Sequence, residues 1–210
     1  MGVELPDISR AEFERRLEAA AGPSLNGPTV SALLHAHYEE LRRWNSTVAL
    51  VGPAFATEGI VQHYAESLAG QDLLLPGHSS LIDIGSGAGF PGLVLAAARP
   101  ELDVTLIESR ERKCAFLRSA ARRMALQVRC LNARLESPPP QGLPNSIDVV
   151  TVRAVRIDPS LLAPVTPRLS RDARVLLWST GAPQELPGFA LRGERGLAGN
   201  RRIFAYGPQP

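Results

Sequence analysis

Apolar positions in the first 70 residues follow a helical period. Between residues 30 and 44 they recur at the i, i+3, i+4 and i+7 spacing of an amphipathic helix. Ser9 and Glu12 have the spacing of a capping box ahead of an earlier helix, and a third helix is predicted from Thr57 to Leu68. His37 lies on the apolar face of the second helix, where we expect a packed or hydrogen-bonded histidine rather than a ligand. The pattern predicts an N-terminal helical cap over residues 1–70.

From residue 80 onward, short apolar runs of strand length alternate with helical segments. One of these helices is predicted from Arg110 to Met124. The predicted strands cover residues 81–84, 104–107, 128–131, 147–152 and 175–178, with a terminal hairpin at 189–191 and 203–206. Strands that alternate with helices predict a parallel sheet. Residues 71–210 are therefore predicted to form an α/β domain with a seven-stranded, mostly parallel sheet and helices on both faces.

A glycine-rich stretch, Asp83–Gly92, joins the first strand to the following helix. Glycines at a strand-to-helix turn let the backbone approach a ligand closely, and the free N–H groups of the helix start favour polar or anionic ligand groups. Gly87, Gly89 and Gly92 fit the dinucleotide pattern G-x-G-x-x-G, and Glu108 follows Gly87 by twenty-one residues. A nicotinamide site is thus one interpretation.

The second interpretation gives weight to the acid before the glycines. Asp83-x-Gly85-x-Gly87-x-Gly89 resembles the first motif of class I S-adenosylmethionine-dependent methyltransferases. It fits better because Gly85, not Gly87, directly follows the strand. Glu108 ends the next strand, where a carboxylate is well placed to accept hydrogen bonds from both ribose hydroxyls. We therefore favour the methyltransferase, with Asp83, the three glycines and Glu108 as cofactor-binding residues.

Composition limits the alternatives. The length of 210 residues fits one domain, and the net charge of +2 does not by itself indicate a nucleic-acid-binding protein. Cys114 and Cys130 are too few for a disulfide framework and wrongly spaced for zinc, so no metal is expected. The sequence has no apolar run near the ~20 residues of a membrane span and no signal-peptide pattern at its start. We expect a cytoplasmic monomer without membrane contact.

Arginine side chains mark two further places. Arg153 follows the fourth strand, and ligands of open α/β sheets bind beyond the carboxyl ends of strands. The helix from Arg110 to Met124 turns Arg112, Lys113 and neighbouring arginines outward. This basic face is explained either as a solvated surface or as a contact with RNA phosphates, and the sequence leaves both open.

Taken together, these stretches resemble one family, the bacterial small-subunit ribosomal RNA guanine-N7 methyltransferases known as RsmG or GidB. The matching residues span most of residues 30 to 181 and include Trp44-Asn45, Leu50, His63, Ser67-Leu68, Asp83–Gly92, Glu108-Ser109, Arg112-Lys113, Phe116-Leu117, Arg134-Leu135-Glu136 and Asp148–Ala154. The Gly-Phe-Pro-Gly end of the glycine stretch and the Val-Arg-Ala after the fourth strand are the more specific parts.

The resemblance implies a cofactor, a substrate and several site residues. Family members use S-adenosyl-L-methionine to methylate N7 of a guanine in the 530 loop of 16S rRNA, within the 30S decoding region. By this resemblance Gly85 and Phe90 contact the cofactor from the loop, and Leu135 and Glu136 flank the adenosine. Arg153 closes the site, and our hypothesis is that it acts in catalysis by anchoring the target guanine or the cofactor carboxylate.

Three positions depart from the family pattern. Thr180 stands where a lysine is usual, Gln62 where a basic residue is common and Glu66 where aspartate is usual. These departures concern RNA contacts more than cofactor binding. Two alternatives therefore stay open beside the rRNA methyltransferase: an enzyme of the same fold with another substrate, and a non-catalytic ribosome-binding relative.

Overall fold

The structure, a computed structural model, describes residues 2–53, 59–136, 138–154, 157 and 159–209. Its principal helices are α1 (Arg10–Ala21), α2 (Gly27–Val48), α3 (Ile60–Leu68), α4 (Gly92–Ala98), α5 (Glu111–Arg123) and α6 (Pro159–Leu162). Its strands are β1 (Ser80–Ile84), β2 (Asp103–Glu108), β3 (Val128–Asn132), β4 (Ile147–Arg153), β5 (Leu169–Thr180), β6 (Phe189–Gly196) and β7 (Arg201–Pro208). Each predicted strand is present, and the predicted start of the third helix at Thr57 lies outside the described residues.

The strands form one sheet in the order β3-β2-β1-β4-β5-β7-β6. The first five strands in this order are parallel, whereas β7 runs antiparallel to β5 and to β6. The predicted seven-stranded, mostly parallel sheet is therefore confirmed. All carboxyl ends of the parallel strands meet at one edge, which is where a ligand site is expected.

β5 and β6 extend furthest beyond the strands that the sequence predicts. β5 begins at Leu169, and its pairing with β4 shifts register between Ile147 and Val149. The polar residues 170–172 hid this extension, because they do not show the alternation of a half-buried strand. β6 continues to Gly196 as an exposed edge strand, where solvent on one side removes the apolar signal.

Both faces of the sheet are covered. Leu81, Val104 and Val149 face the layer of α3, α4 and α5, while Ile82 and Val150 belong to a second cluster on the opposite face. This alternation follows from the pleat, which turns successive side chains to opposite faces. The predicted coverage on both faces is confirmed.

The helical cap forms an additional layer on the α5 side. Phe13 of α1 stacks on Tyr38 of α2 with ring centroids 5.5 Å apart, and both rings are fully buried. From α5, Ser119 donates a hydrogen bond of 2.6 Å to Glu40 of α2. Apolar packing and this partly buried hydrogen bond connect the cap to the sheet layer. The boundary at residue 70 stays a prediction.

Membrane spans and metal clusters are both absent from the described ranges. No helix there is both long enough and apolar enough to cross a membrane. Nor do three or more His, Cys, Asp or Glu side chains in that part of the chain come together as a set that could hold a metal ion. Cys114 and Cys130 are free thiols.

Candidate active site

A cavity of about 480 Å³ opens at the carboxyl ends of β1, β2 and β4. Its walls include Gly85 and Gly87 of the glycine stretch, Phe90, Glu108 and Arg153. Small-molecule sites commonly have volumes of ~300–1,000 Å³. The fold thus gathers five predicted site residues, from three strand ends, around one space of suitable size.

The glycine loop needs the backbone freedom of its glycines. Gly85, Gly87 and Gly89 have φ angles of 72°, 53° and 85°, a left-handed region that other residues rarely adopt. The N–H groups of Gly85 and Ser86 both donate to the carbonyl of Ile107, at 2.9 and 3.1 Å. The loop is therefore fixed to the end of β2 beside the cavity.

Glu108 is buried at the end of β2 and is held by backbone amides. Its Oε2 accepts a hydrogen bond from the N–H of Gly87 at 3.0 Å, and its Oε1 accepts one from the N–H of Arg110 at 2.8 Å. A carboxylate oxygen accepts more than one hydrogen bond. Glu108 is thus oriented by the loop and keeps acceptor capacity for hydroxyl groups in the cavity.

Asp83 lies beneath the loop, buried and outside the cavity lining. Its Oδ1 accepts a hydrogen bond of 2.7 Å from Thr151, while among the described residues its Oδ2 has no hydrogen-bond partner. Burial raises the pKa of Asp83 to about 6, although the hydrogen bond from Thr151 and the nearby polar groups of Ser86 and Gly92 oppose the rise. Above that pH the site therefore holds an incompletely satisfied buried carboxylate, which favours a cationic ligand group nearby.

The other predicted cofactor residues do not line this cavity. A Cβ on Gly89 would lie 3.0 Å from His37 Nε2 and 2.8 Å from Leu93, so Gly89 faces the helical layer. Leu135 is buried in the cluster on the opposite sheet face, and Glu136 is exposed. The predicted roles of Leu135 and Glu136 at an adenosine stay predictions.

His37 connects the helical cap to the glycine loop. Its Nε2–H donates a hydrogen bond of 3.0 Å to the carbonyl of Ala88, and its Nδ1 accepts one of 2.7 Å from the Tyr64 hydroxyl. Burial lowers the pKa of His37 to about 4, so the ring is neutral at neutral pH. The histidine is buried and hydrogen-bonded, as expected from its place on the apolar helix face.

The turn after α2 supplies cavity walls that the motif analysis did not predict. Leu50, Val51 and Gly52 line the space together with the glycine loop. Fully buried Asn45 fixes this turn, because its Oδ1 accepts a hydrogen bond of 2.8 Å from the N–H of Val51. The Trp44-Asn45 pair at the helix end was the available signal, but it does not reveal which cavity the turn faces.

A second cavity, of about 350 Å³, lies on the other side of Arg153 and Ala154, which line both spaces. Arg153 is fixed by α3: it donates to Glu66 at 2.7 Å, to His63 Nδ1 at 2.8 Å and to the Ser67 hydroxyl at 2.9 Å. Its side chain is 13% exposed. Arg153 is therefore a fixed cation in the wall that separates the two cavities.

Glu66 joins this wall to the C-terminal hairpin. Its Oε2 pairs with Arg153 and its Oε1 pairs with Arg201 Nε at 3.0 Å. Burial raises the pKa of Glu66, and the Coulomb attraction of the two arginines opposes the rise. Arg201 is paired across the β5–β7 ladder with Thr180 and lines the second cavity beside it. A hairpin arginine thus lies next to the position where a lysine was expected.

Comparison with known proteins identifies the family of this chain. The family model described as rRNA small subunit methyltransferase G matches residues 31–182. The chain belongs to the rRNA small subunit methyltransferase G family. The predicted family is confirmed, and with it the predicted class of enzyme, an S-adenosylmethionine-dependent rRNA methyltransferase.

Relatives in the methyltransferase G family match most of the chain. The protein named ribosomal RNA small subunit methyltransferase G from Myxococcus xanthus is 38% identical over 84% of this chain and 82% of its own length. Its namesake from Methylobacterium radiotolerans is 41% identical over 80% of this chain and 82% of its own length. That from Xanthomonas euvesicatoria pv. vesicatoria is 34% identical over 91% of this chain and 94% of its own length.

Solved structures agree on the fold. A mutant of the protein MtNAS in complex with S-adenosylmethionine has a TM-score of 0.59 at 14% identity, covering 97% of this chain and 85% of the other. The mitomycin 7-O-methyltransferase MmcR has a TM-score of 0.55 at 17% identity, covering 98% and 74%. The class I methyltransferase fold predicted for this methyltransferase G family member is confirmed.

Proposed function

We propose that this chain transfers a methyl group from S-adenosylmethionine to N7 of a guanine in the 530 loop of 16S rRNA. The substrate is the 30S subunit or a precursor, and the enzyme acts as a cytoplasmic monomer. One observation carries the proposal: Arg153 lies in the wall shared by a cavity suited to the cofactor and a second cavity open to a substrate.

The residues of the first cavity fit the cofactor. Glu108 keeps acceptor capacity for ribose hydroxyls, and Gly85 and Phe90 form the loop wall. Asp83 supplies negative charge beneath the loop, where a Cβ on Gly92 would lie 2.6 Å from its Oδ2. Only glycine at position 92 leaves room for this carboxylate. When bound, the cofactor supplies a methyl group already activated by a sulfonium.

The reaction requires the protein to position the reactants but does not require a general base. Guanine N7 carries an in-plane lone pair and no proton, so methyl transfer there requires no proton removal. Catalysis then depends on in-line placement and on electrostatic stabilisation. Arg153 suits both, because its guanidinium is fixed by three α3 side chains and borders each cavity. Its proposed role is to anchor the guanine or the cofactor carboxylate.

Cations at the rim of the first cavity support an RNA substrate. Arg110 and Lys113 line the cavity, and Arg112 is exposed beside them on α5. Within the described ranges, no acidic side chain forms an ion pair with any of the three, whereas Arg123 near the far end of α5 pairs with Glu39. Such unneutralised cations bind phosphates with the least loss of existing contacts.

The test is methyl transfer from labelled S-adenosylmethionine to unmethylated 30S particles, with naked 16S rRNA alongside and the modified nucleotide mapped. We expect label at N7 of a 530-loop guanine in the particle. Absence of label while the cofactor still binds would contradict the proposed substrate and send the search to other acceptors. Label on naked RNA alone would contradict the proposed 30S context.

A further inference from the structure

We propose that His37 is a positioning residue for cofactor binding, through which the helical cap holds the glycine loop in its binding conformation. The inference rests on the cofactor of the proposed function but not on its RNA substrate. It is carried by the two hydrogen bonds of the His37 ring and by the residues between which the bonded carbonyl lies.

The group of the loop that His37 holds is a backbone carbonyl. It belongs to Ala88, which lies between Gly87 and Gly89 and itself lines the cavity. Both flanking glycines are left-handed, at φ 53° and 85°. Glycine backbone is the most permissive of all, so this segment has many alternative conformations to exclude. A fixed donor at Ala88 excludes those that turn its carbonyl away.

Tyr64 fixes the donor. The Tyr64 hydroxyl donates to His37 Nδ1, because the carbonyl of Ala88 is solely an acceptor and requires the proton on Nε2. Tyr64 comes from α3 and is fully buried, as is His37. The ring is therefore held in one tautomer and one orientation by residues outside the sheet.

The same histidine ring also packs against the cavity wall. Phe90, which lines the cavity, packs in a T-shaped arrangement against His37 and against Tyr64, with ring centroids 5.4 Å and 4.8 Å apart. Gly89 allows this approach, since a Cβ there would lie only 3.0 Å from His37 Nε2. Displacing the histidine would thus release both the Ala88 carbonyl and the Phe90 ring.

His35 provides a matched control on the same helix. It is also buried, its Nε2 is hydrogen-bonded to a backbone carbonyl, that of Ile8 at 3.2 Å, and its ring packs against Phe13 at 5.4 Å. However, its partners lie in the N-terminal segment and not in the loop. His37→Phe and His35→Phe each remove one buried histidine while keeping an aromatic ring.

The experiment measures S-adenosylmethionine affinity by calorimetry and amide hydrogen exchange in the ligand-free protein. For His37→Phe we expect a roughly tenfold weaker affinity, since losing one buried hydrogen bond shifts the loop equilibrium by about that factor. Exchange at residues 86–90 should accelerate. His35→Phe should change neither quantity, and His37→Gln, which keeps a donor and an acceptor, should restore part of the affinity.

Tyr64→Phe keeps the proposal testable if His37→Phe fails to fold. It removes only the hydroxyl that fixes the tautomer, so a loss of affinity of about two- to threefold is expected. Equal losses in His37→Phe and His35→Phe, or unchanged affinity and exchange in both His37→Phe and Tyr64→Phe, would overturn the inference. Because both readouts omit RNA, a failure of the proposed rRNA substrate would leave them unaffected.

Discussion

The acidic side chains at the two cavities on either side of Arg153 have different kinds of partner. At the first cavity, Glu108 lines the space and Asp83 lies beneath the glycine loop; backbone amides hold Glu108 and a hydroxyl holds Asp83, without an ion pair in the described structure. In the second, Glu66 is neutralised by Arg153 and Arg201 together. Asp83 and Glu108 thus have no salt-bridge partner among the described residues, although Arg110, Lys113 and Arg153 also line the first cavity. The second cavity is lined by the ion-paired network of Glu66, Arg153 and Arg201.

This difference has a consequence for binding. A cationic cofactor group gains from the charge of Asp83 and Glu108 without breaking an ion pair of the described residues. A ligand in the second cavity must compete with Glu66 for its arginines, and competition inside a partly buried site costs more than on the surface. Cofactor binding is therefore expected to be the less demanding of the two events. Four substitutions test this contrast.

Loss of the shared arginine should have the largest effect. In Arg153→Ala, methyl transfer to 30S particles should fall by at least ~100-fold, the scale for removing a preorganised electrostatic contact. Stability should also fall, because Glu66 then keeps one arginine instead of two. Turnover and thermal unfolding measure the two effects. Arg153→Lys, which keeps the charge without the fork, should recover stability better than turnover, and unchanged turnover in Arg153→Ala would refute an essential role.

Neutralising Asp83, the buried acid beneath the glycine loop, should have the next largest effect. Asp83→Asn should weaken S-adenosylmethionine binding about tenfold while raising the melting temperature of the ligand-free protein at about pH 8. Because the pKa of Asp83 is raised to about 6, its stabilising protonated form is lost as pH rises through about 6. The difference in unfolding free energy between Asp83→Asn and the wild-type protein, at most ~3 kcal/mol, should therefore shrink below about pH 6 and vanish near about pH 4.

Asp148 serves as the opposite control for that variant. Burial pushes its pKa up, but hydrogen bonds from Ser79, Ser170 and Ser80 outweigh burial, so its pKa is lowered. Asp148→Asn should therefore destabilise the protein at neutral pH, with a gap that shrinks as pH falls. If Asp83→Asn lowers the melting temperature under mildly alkaline conditions, as Asp148→Asn is expected to do, then Asp83 is not a carboxylate destabilised by burial.

Filling the space beside Asp83 should have a moderate effect. In Gly92→Ala the new Cβ would lie 2.5 Å from Leu106 Cδ2 and 2.6 Å from Asp83 Oδ2. Overpacking of this kind typically costs ~1–3 kcal/mol of folding free energy, visible in denaturant unfolding, and should also weaken cofactor binding. Gly196→Ala, which adds its Cβ in open space, should leave both quantities unchanged. Equal behaviour of the two variants would argue against tight packing at Gly92.

The smallest effect is expected at the hairpin. Arg201→Ala should raise KM for 30S particles about threefold and lower the slope of log affinity against log salt by about one, with cofactor affinity unchanged. Arg129→Ala is the control, because Arg129 pairs with Asp103 near the opposite edge of the sheet. A loss of cofactor affinity without any change in KM for the particle would show that Arg201 acts on cofactor binding and not on the substrate.

The sequence predicted what depends on local pattern. Asp83, the loop glycines and Glu108 could be placed because a strand, a glycine turn and the next strand end follow one another directly. Arg153 followed from topology, since it ends a parallel strand. The extensions of β5 and β6 could not be predicted, because their polar residues lack the alternation that identifies a strand.

The remaining site features depend on contacts between distant segments. Nothing near Glu66 in the sequence indicates that Arg153 and Arg201 both reach it, and nothing near His37 indicates Ala88 as its partner. A family resemblance also does not fix which residues line a cavity. It assigns Leu135 and Glu136 to an adenosine, yet neither lines the first cavity. Pairings of this kind arise from tertiary packing, which periodicity does not encode.

The strand order also bears on how the protein is made. Because β7 lies between β5 and β6, β6 has no strand to pair with until β7 has left the ribosome. The walls of the first cavity all come from residues 50–154, whereas the second cavity requires Arg201 and Arg202. During synthesis we therefore expect the nascent chain to acquire its cofactor site first. A bound cofactor would then stabilise an enzyme whose substrate side is not yet complete.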